Sequence, residues 1–292
     1  MILYEQIQHN KRKTVFIVFF FVLFVLAVGA AFSYINSGEP FSGLILTAII
    51  ATIYVGIVLS SSTKMVMRMN HAKEIKSVED NRFLWHTVEN MAMVGRIPMP
   101  RVFVIHDPSP NAFATGLSPK NGAVAVTTGL IDTLNREEME GVIAHEVAHI
   151  KNYDVRLSTI ALALVSVIAI ISDIGTRMLF FSRGGRGNKQ SPVILIFAIV
   201  LMILAPFIAM LINMAISRNR EYLADASAAE LTRNPHALAS ALEKITGVST
   251  PVREASGSSA PLYFADPLKK KMSGLLSTHP DPQERMKRLR EM

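Results

Sequence analysis

Two stretches near the N-terminus, Thr14 to Ile35 and Phe41 to Ser60, contain neither a charged residue nor a proline, and no other feature constrains the fold as much. A helix needs about 20 apolar residues to cross a bilayer core, and both stretches meet that requirement. Pro192 to Ser217 is a third stretch of similar character. A fourth, Leu157 to Ser172, is shorter; it meets Asp173 and Arg177 before Met178 to Phe181 resume the apolar run. With 50% of all residues apolar, a membrane protein is the first class to consider.

Lys11, Arg12 and Lys13 precede the first run in the order a secretory signal uses, but the run is too long and no small-residue cleavage pattern follows it. It reads as a retained anchor that starts in the cytoplasm. The 36–40 connection carries Glu39 and no basic residue, whereas Lys64, Arg68, Lys73 and Lys76 follow the second run, so both ends of this hairpin face inward. The net charge of +7 is met by such flanking residues and by anionic lipid, and nucleic-acid binding is not expected. In the later pair of runs the connection carries Arg177, Arg183, Arg186 and Lys189. Facing outward, these would break the positive-inside tendency, so the number of spans stays open between two and four.

The intervening blocks, 61–156 and 218–292, together suffice for one compact domain. A helix is expected from Ser77 to Val94, capped by Ser77 with Asp80, stopped by Gly95, and burying Phe83, Leu84, Val88 and Met91. Arg101 to His106, Asn111 to Gly116 and Gly122 to Thr128 are β-prone and predict a small sheet with a hairpin. A further helix starts at Asn135, with Glu137 and Glu138 at its positive end, and runs on towards Leu157. Helices follow over Ser217 to Leu231 and Leu238 to Ile245, while 247–261, rich in Ser, Pro and Gly, reads as a flexible loop. The expected layout is an N-terminal transmembrane hairpin at 1–60 (14–35 and 41–60) and a first part of the compact domain at 61–156. A second hydrophobic hairpin at 157–217 (157–181 and 192–217) and a second part of that domain at 218–292 complete it.

The chemistry lies in His145-Glu146-Val147-Ala148-His149. Four residues on a helix bring two imidazoles to one face, where both reach the same ion. Glu146 lies about 100° round that helix, beside the water that a metal activates rather than in the coordination set. Zinc with three protein ligands keeps a fourth position open, and Glu146 then serves as the general base. The chain contains no cysteine, so any metal is held by His, Asp or Glu. Asp154, five residues after His149, does not lie on the histidine face of that helix. Glu221 and Asp225, again four apart and just beyond the last apolar run, offer a third ligand and a carboxylate to accept the outer N–H of a ligand histidine. A solvated acidic face paired with Arg218 and Arg220 is the other reading of that string.

These strings, with Asn111-Ala112-Phe113-Ala114-Thr115-Gly116 and Ser277-Thr278-His279-Pro280, make the chain similar to the HtpX-type membrane metalloproteases, relatives of the CAAX prenyl proteases. The resemblance implies a mainly α membrane protein of two to four transmembrane helices plus a cytoplasmic α+β zincin-like catalytic domain with a small sheet. It implies one Zn2+ per chain, a multi-pass location in a bacterial-type inner membrane, and quality control of membrane or unfolded polypeptides under stress. It also implies that Asn111, Ala112, Phe113 and Ala114 form an edge strand to which an extended substrate adds; a plain core strand with Phe113 buried is the alternative. His279 resembles a family histidine near the metal that acts on the scissile carbonyl or its oxyanion. Its alternative is a turn histidine before Pro280.

Overall fold

The computed structural model describes residues 3–164, 218–253, 255, 259–269 and 279–292. Nearly all of the expected second hydrophobic hairpin, from 165 to 217, lies outside these residues.

Helices α1 (Leu3–Ser37) and α2 (Pro40–Met69) form an antiparallel hairpin. The turn is tight enough to require Gly38 at φ +75°, a left-handed backbone that other residues adopt at a cost. Gly29 and Gly43 let the two backbones touch: a Cβ on Gly43 would lie 2.2 Å from the Gly29 carbonyl oxygen. Large apolar side chains such as Phe16, Phe19, Leu23, Ile45, Ile49 and Ile53 stay exposed, more than a water-facing surface tolerates and what lipid requires. Both helices are long and apolar enough to cross a membrane, over Gln8–Ala31 and Pro40–Met69.

Helix α2 runs well past Ser60, where its apolar run ends. The reason is packing: Val66 and Met67, at 0% and 2% exposure, lie against one face of the sheet with Phe103, Ile105, Phe113, Ala123 and Ala125. Strand β1 (Lys73–Ile75), which sequence periodicity did not reveal, follows at once. With β2 (Arg101–Ile105), β3 (Ala112–Thr115) and β4 (Ala123–Thr127) it makes a mixed sheet in the order β1-β2-β4-β3. β2 and β4 are parallel and the outer pairs antiparallel, with Phe113 opposite Ala125 and Ala114 opposite Val124. Alternation sends Val102, Ala112, Ala114, Val124 and Val126 to the other face, where they join the helical core.

The helix expected from Ser77 begins later. The Ser77 and Asp80 box closes a single 3-10 turn, and α3 (Arg82–Gly95) starts afresh from Asn81, whose side chain accepts the Leu84 N–H at 2.9 Å. Gly95 stays inside α3, and the left-handed stop is Arg96 at φ 56°. Leu84, Val88 and Met91 are buried, but Phe83 is 37% exposed. A short α4 (Thr128–Thr133) leads into α5 (Arg136–Lys151), and α6 (Arg218–Thr232), α7 (Pro235–Gly247) and α8 (Pro282–Arg290) complete the helical layer.

Instead of continuing to Leu157, α5 ends at Lys151; Tyr153 adopts a left-handed φ of 59° and a new helical stretch covers 154–164. Its Leu157, Ile160 and Leu164 pack on Ile17, Phe21 and Val58 of the hairpin, and Tyr54 donates to the Ala163 carbonyl at 2.9 Å. In the 247–261 segment some of the described residues make contacts with the rest of the domain. Val252 is 2% exposed, Arg253 N–H reaches Asp107 Oδ2 at 2.8 Å, and Ser109 Oγ donates to the Thr250 carbonyl at 2.6 Å.

Candidate metal centre

Helix α5 is surrounded by α3, α6, α7 and β3, which explains why its residues from Met139 to Ile150 are nearly all buried. Its start is fixed by Asn135 and Glu138, each accepting the other's backbone N–H at 2.9 Å. Glu138 also accepts Ser240 Oγ at 2.6 Å and Lys244 Nζ at 2.7 Å, locking α5 onto α7. Gly141 permits that contact, since a Cβ there would meet the Leu238 backbone at 3.2 Å.

On this helix the Nε2 atoms of His145 and His149 point at one another, 3.1 Å apart. Two ring nitrogens so placed share either a proton or an ion. From α6, Glu221 Oε1 lies 3.5 Å from His149 Nε2 and Oε2 lies 3.7 Å from His145 Nε2. The three ligand atoms lie within 4.8 Å of one another, and they form the one such group among the described residues. A tetrahedral zinc ion with bonds of about 2.0–2.1 Å spaces its ligands about 3.3 Å apart, so this triangle fits one dication with little adjustment.

Behind each histidine stands an aspartate. Asp225 Oδ1 is 3.0 Å from His145 Nδ1. Asp154 Oδ2 is 3.3 Å from His149 Nδ1. Asp225 in turn receives two bonds from Arg285, at 2.7 and 2.8 Å. Arg285 on α8 is 1% exposed, donates a third bond to the Phe264 carbonyl at 3.0 Å, and stacks on the Phe264 ring, whose edge meets His145.

The charges respond as burial and partners dictate. Burial alone would lower His145, but Asp225 and Glu221 prevail and hold it up, to about 9 before a metal displaces the proton. Glu221 stays well below the usual carboxylate range although burial opposes this, because the imidazoles of His145, His279 and His149 lie beside it. Asp225 is likewise held down to about 2 against its burial, by Arg285 and His145. Glu146 is raised, chiefly by burial; it is 1% exposed and its Oε1 has no hydrogen-bond partner among the described residues. An orphaned buried carboxylate beside a ligand triangle needs a water or an ion to complete it.

His279 is buried with Nδ1 3.5 Å from Glu221 Oε2, so it adjoins the third ligand; the walls of the central cavity are other residues. That cavity, about 30 Å³, is lined by His145, Glu146, His149 and Glu221 together with Ala114, Arg220 and residues 261–264. It has room for an ion and a water or two, not for a peptide. Of the expected edge strand, Ala114 alone reaches it. The Ala112 carbonyl already accepts Phe264 N–H at 2.8 Å, Phe113 pairs with Tyr263, and Asn111 Nδ2 donates to the Ala265 carbonyl at 2.9 Å. The sequence did not point to Arg285, and it had offered Asp154 only as a ligand; the one signal for Arg285 was its place on the same face of α8 as the apolar Leu289.

Residues 79–292 match the model of peptidase family M48. The chain is 55% identical to a protease HtpX homolog of Listeria monocytogenes serotype 4a, over 99% of this chain and 100% of the relative. A protease HtpX homolog of Limosilactobacillus reuteri is 49% identical over 99% and 100%. The solved structure of Ste24p from S. mikatae matches with a TM-score of 0.48 at 18% identity, covering 98% of this chain and 66% of that one, a likeness too distant to carry any residue's role. The ligand triangle and the near full-length relatives agree, and the chain belongs to peptidase family M48, among the HtpX membrane metalloproteases.

Proposed function

We propose that this metalloprotease is a zinc endopeptidase, with one Zn2+ per chain held by His145, His149 and Glu221, that cuts unfolded or exposed parts of membrane proteins. The observation that carries this reading is the ligand triangle with Glu146 buried beside it, its Oε1 without a hydrogen-bond partner among the described residues. Two nitrogens and a carboxylate oxygen, with no thiolate in the chain, are a donor set suited to catalytic zinc. When bound, zinc lowers the pKa of a water and polarises a carbonyl.

The protein's own groups do the rest. Glu146, its carboxyl raised by burial, takes the proton of the attacking water and passes it to the leaving amine. Asp225, held by Arg285, fixes the tautomer of His145. His279, with its Nδ1 3.5 Å from Glu221 Oε2, the oxygen other than the one nearest His149, helps to hold that carboxylate in place. The substrate reaches the centre past Ala114 and residues 261–264; it does not add as a strand at Ala112 and Phe113, an edge that Tyr263 and Phe264 already take. Asn111, Ala112 and Phe113 support that edge by holding residues 263–265 in place.

The basic residues Lys11 to Lys13 and Lys64 to Lys76 support a catalytic face in the cytoplasm of a bacterial inner membrane. The division into 1–60, 61–156, 157–217 and 218–292 belongs to this reading, as does a role in stress-linked quality control, supported by the resemblance to HtpX proteases.

The test is cleavage of casein by detergent-solubilised full-length protein, compared with Glu146→Gln at equal zinc content. Glu146→Gln is expected to lose about 10²–10⁴-fold in rate while keeping its metal. If both proteins hold zinc and neither cuts casein or a membrane-tethered reporter, the endopeptidase reading fails.

A further inference from the structure

The two ligand histidines are backed differently. His145 rests on Asp225, which Arg285 grips twice; His149 rests on Asp154, whose other oxygen accepts Asn10 Nδ2 at 2.7 Å. Asn10 lies on α1, within the first candidate membrane span, 144 residues away from Asp154 in sequence. We propose that Asn10 is a positioning residue of the metal site: by holding Asp154 it orients His149, so that the membrane anchor completes the catalytic centre. This rests on the metalloprotease reading above.

Three observations carry the inference. Asn10 and Asp154 are 5% and 3% exposed, so water does not offer an easy replacement for their bond. The turn that aims Asp154 back at His149 runs through the left-handed Tyr153, a conformation that a bulky residue keeps only where its surroundings hold it. A neighbour of that turn again comes from α1, with Lys11 Nζ 4.6 Å over the Tyr153 ring. Successive residues of α1 thus clamp the same turn. Moreover, the His149 side chain is 13% exposed against 0% for His145, so packing alone constrains it less and a directed bond to its Nδ1 matters more.

The chemistry of the donor matters as well. A carboxamide N–H fixes the rotamer of Asp154 and leaves its charge available to the imidazole N–H. A cation in its place would draw the carboxylate away, and a carboxylate would repel it.

The experiment measures zinc affinity of the full chain in detergent, by competition with a chromophoric chelator, alongside the melting temperature of the metal-free protein. Asn10→Leu and the isosteric Asn10→Asp are expected to weaken zinc binding about tenfold, and Asp154→Asn by 10–100-fold, the range for groups that orient metal ligands. Combining Asn10→Leu with Asp154→Asn is expected to add nothing to the latter, because the two act through one contact. Thr14→Val, one turn along the same buried face, is the control and is expected to leave affinity unchanged. Additive losses, an unchanged affinity in both Asn10 variants, or an equal loss in Thr14→Val would overturn the assignment. Should Asn10→Leu fail to accumulate, Asn10→Asp supports the same comparisons. If wild type itself takes up no zinc, the zinc reading fails and this inference with it; if wild type binds zinc and the Asn10 variants match it, only this inference fails.

Discussion

Replacing Arg285 by methionine keeps most of its volume and removes three donors: two to Asp225, at 2.7 and 2.8 Å, and one to the Phe264 carbonyl at 3.0 Å. Breaking a buried ion pair by deleting one partner costs about 3–5 kcal/mol, because the remaining charge is left in a poor solvent. The orphaned carbonyl overlaps with that figure rather than adding fully to it, so about 4 kcal/mol is expected. For a domain of this size each kcal/mol moves the melting temperature by about 2–4 °C, which predicts a fall of roughly 8–16 °C. The fall should be larger in chelator than in zinc, since a dication beside His145 offsets part of the stranded Asp225 charge. Removing that charge as well, in Asp225→Leu combined with Arg285→Met, should recover part of the loss without restoring proteolysis. Differential scanning fluorimetry of the solubilised wild type and both variants, in zinc and in chelator, reads all of these differences. A fall of less than about 3 °C for Arg285→Met, or a double variant no more stable than the single one, would refute the reasoning.

Two further outcomes follow from contacts outside the ligand set. Glu138→Gln should cost about 1–2 kcal/mol near neutrality by losing its charge against Lys244. Glu138 is held below 4.5 in the fold: burial opposes this, but Lys244, Ser240 and the Asn135 N–H outweigh it. Its charge therefore stabilises the protein above pH 4.5, and acidification through the depressed value removes that advantage, so the stability gap to Glu138→Gln should close there in thermal melts. In the membrane hairpin, Gly43→Ala forces a Cβ to within 2.2 Å of the Gly29 carbonyl oxygen and must spread α1 from α2, at about 1–3 kcal/mol. Gly56→Ala, with nothing within 4 Å, should stabilise α2 slightly by helix propensity; a Gly43→Ala melt as high as that of Gly56→Ala would show that the close crossing is not needed.

What the sequence disclosed and what it hid divide along one physical line. Features written in local periodicity were legible: the apolar runs of α1 and α2, the four-residue spacing of His145 with His149 and of Glu221 with Asp225, and the alternation of β2, β3 and β4. Partnerships across the fold were not. Nothing near Arg285 announces that it will reach Asp225, 60 residues away, and nothing near Asn10 announces Asp154. Local rules also mislead where tertiary contacts override them. Helical propensity carries α5 past Lys151, yet the clamp from α1 bends the chain at Tyr153; the Ser77 box reads as a helix start and closes only a 3-10 turn. The outer edge of β3 looks free from its own residues, because the segment that takes it, Tyr263 to Ala265, lies far along the chain.

The charge around the site explains why one histidine is backed through an arginine and the other through an asparagine. Glu146, Asp154, Glu221 and Asp225 line or touch the centre, against the guanidiniums of Arg220 and Arg285. With the four carboxylates ionised and the ligand histidines neutral, as metal binding requires, the balance falls short by the charge that one dication brings. An arginine or lysine at position 10 would hold Asp154 as firmly as Asn10 does, but it would cancel half of that deficit and weaken the pull on the ion. A neutral donor orients His149 and preserves the deficit. The same reasoning requires Asn10→Lys to bind zinc more weakly than Asn10→Gln even where both keep a hydrogen bond to Asp154, and chelator competition at matched ionic strength measures that difference directly.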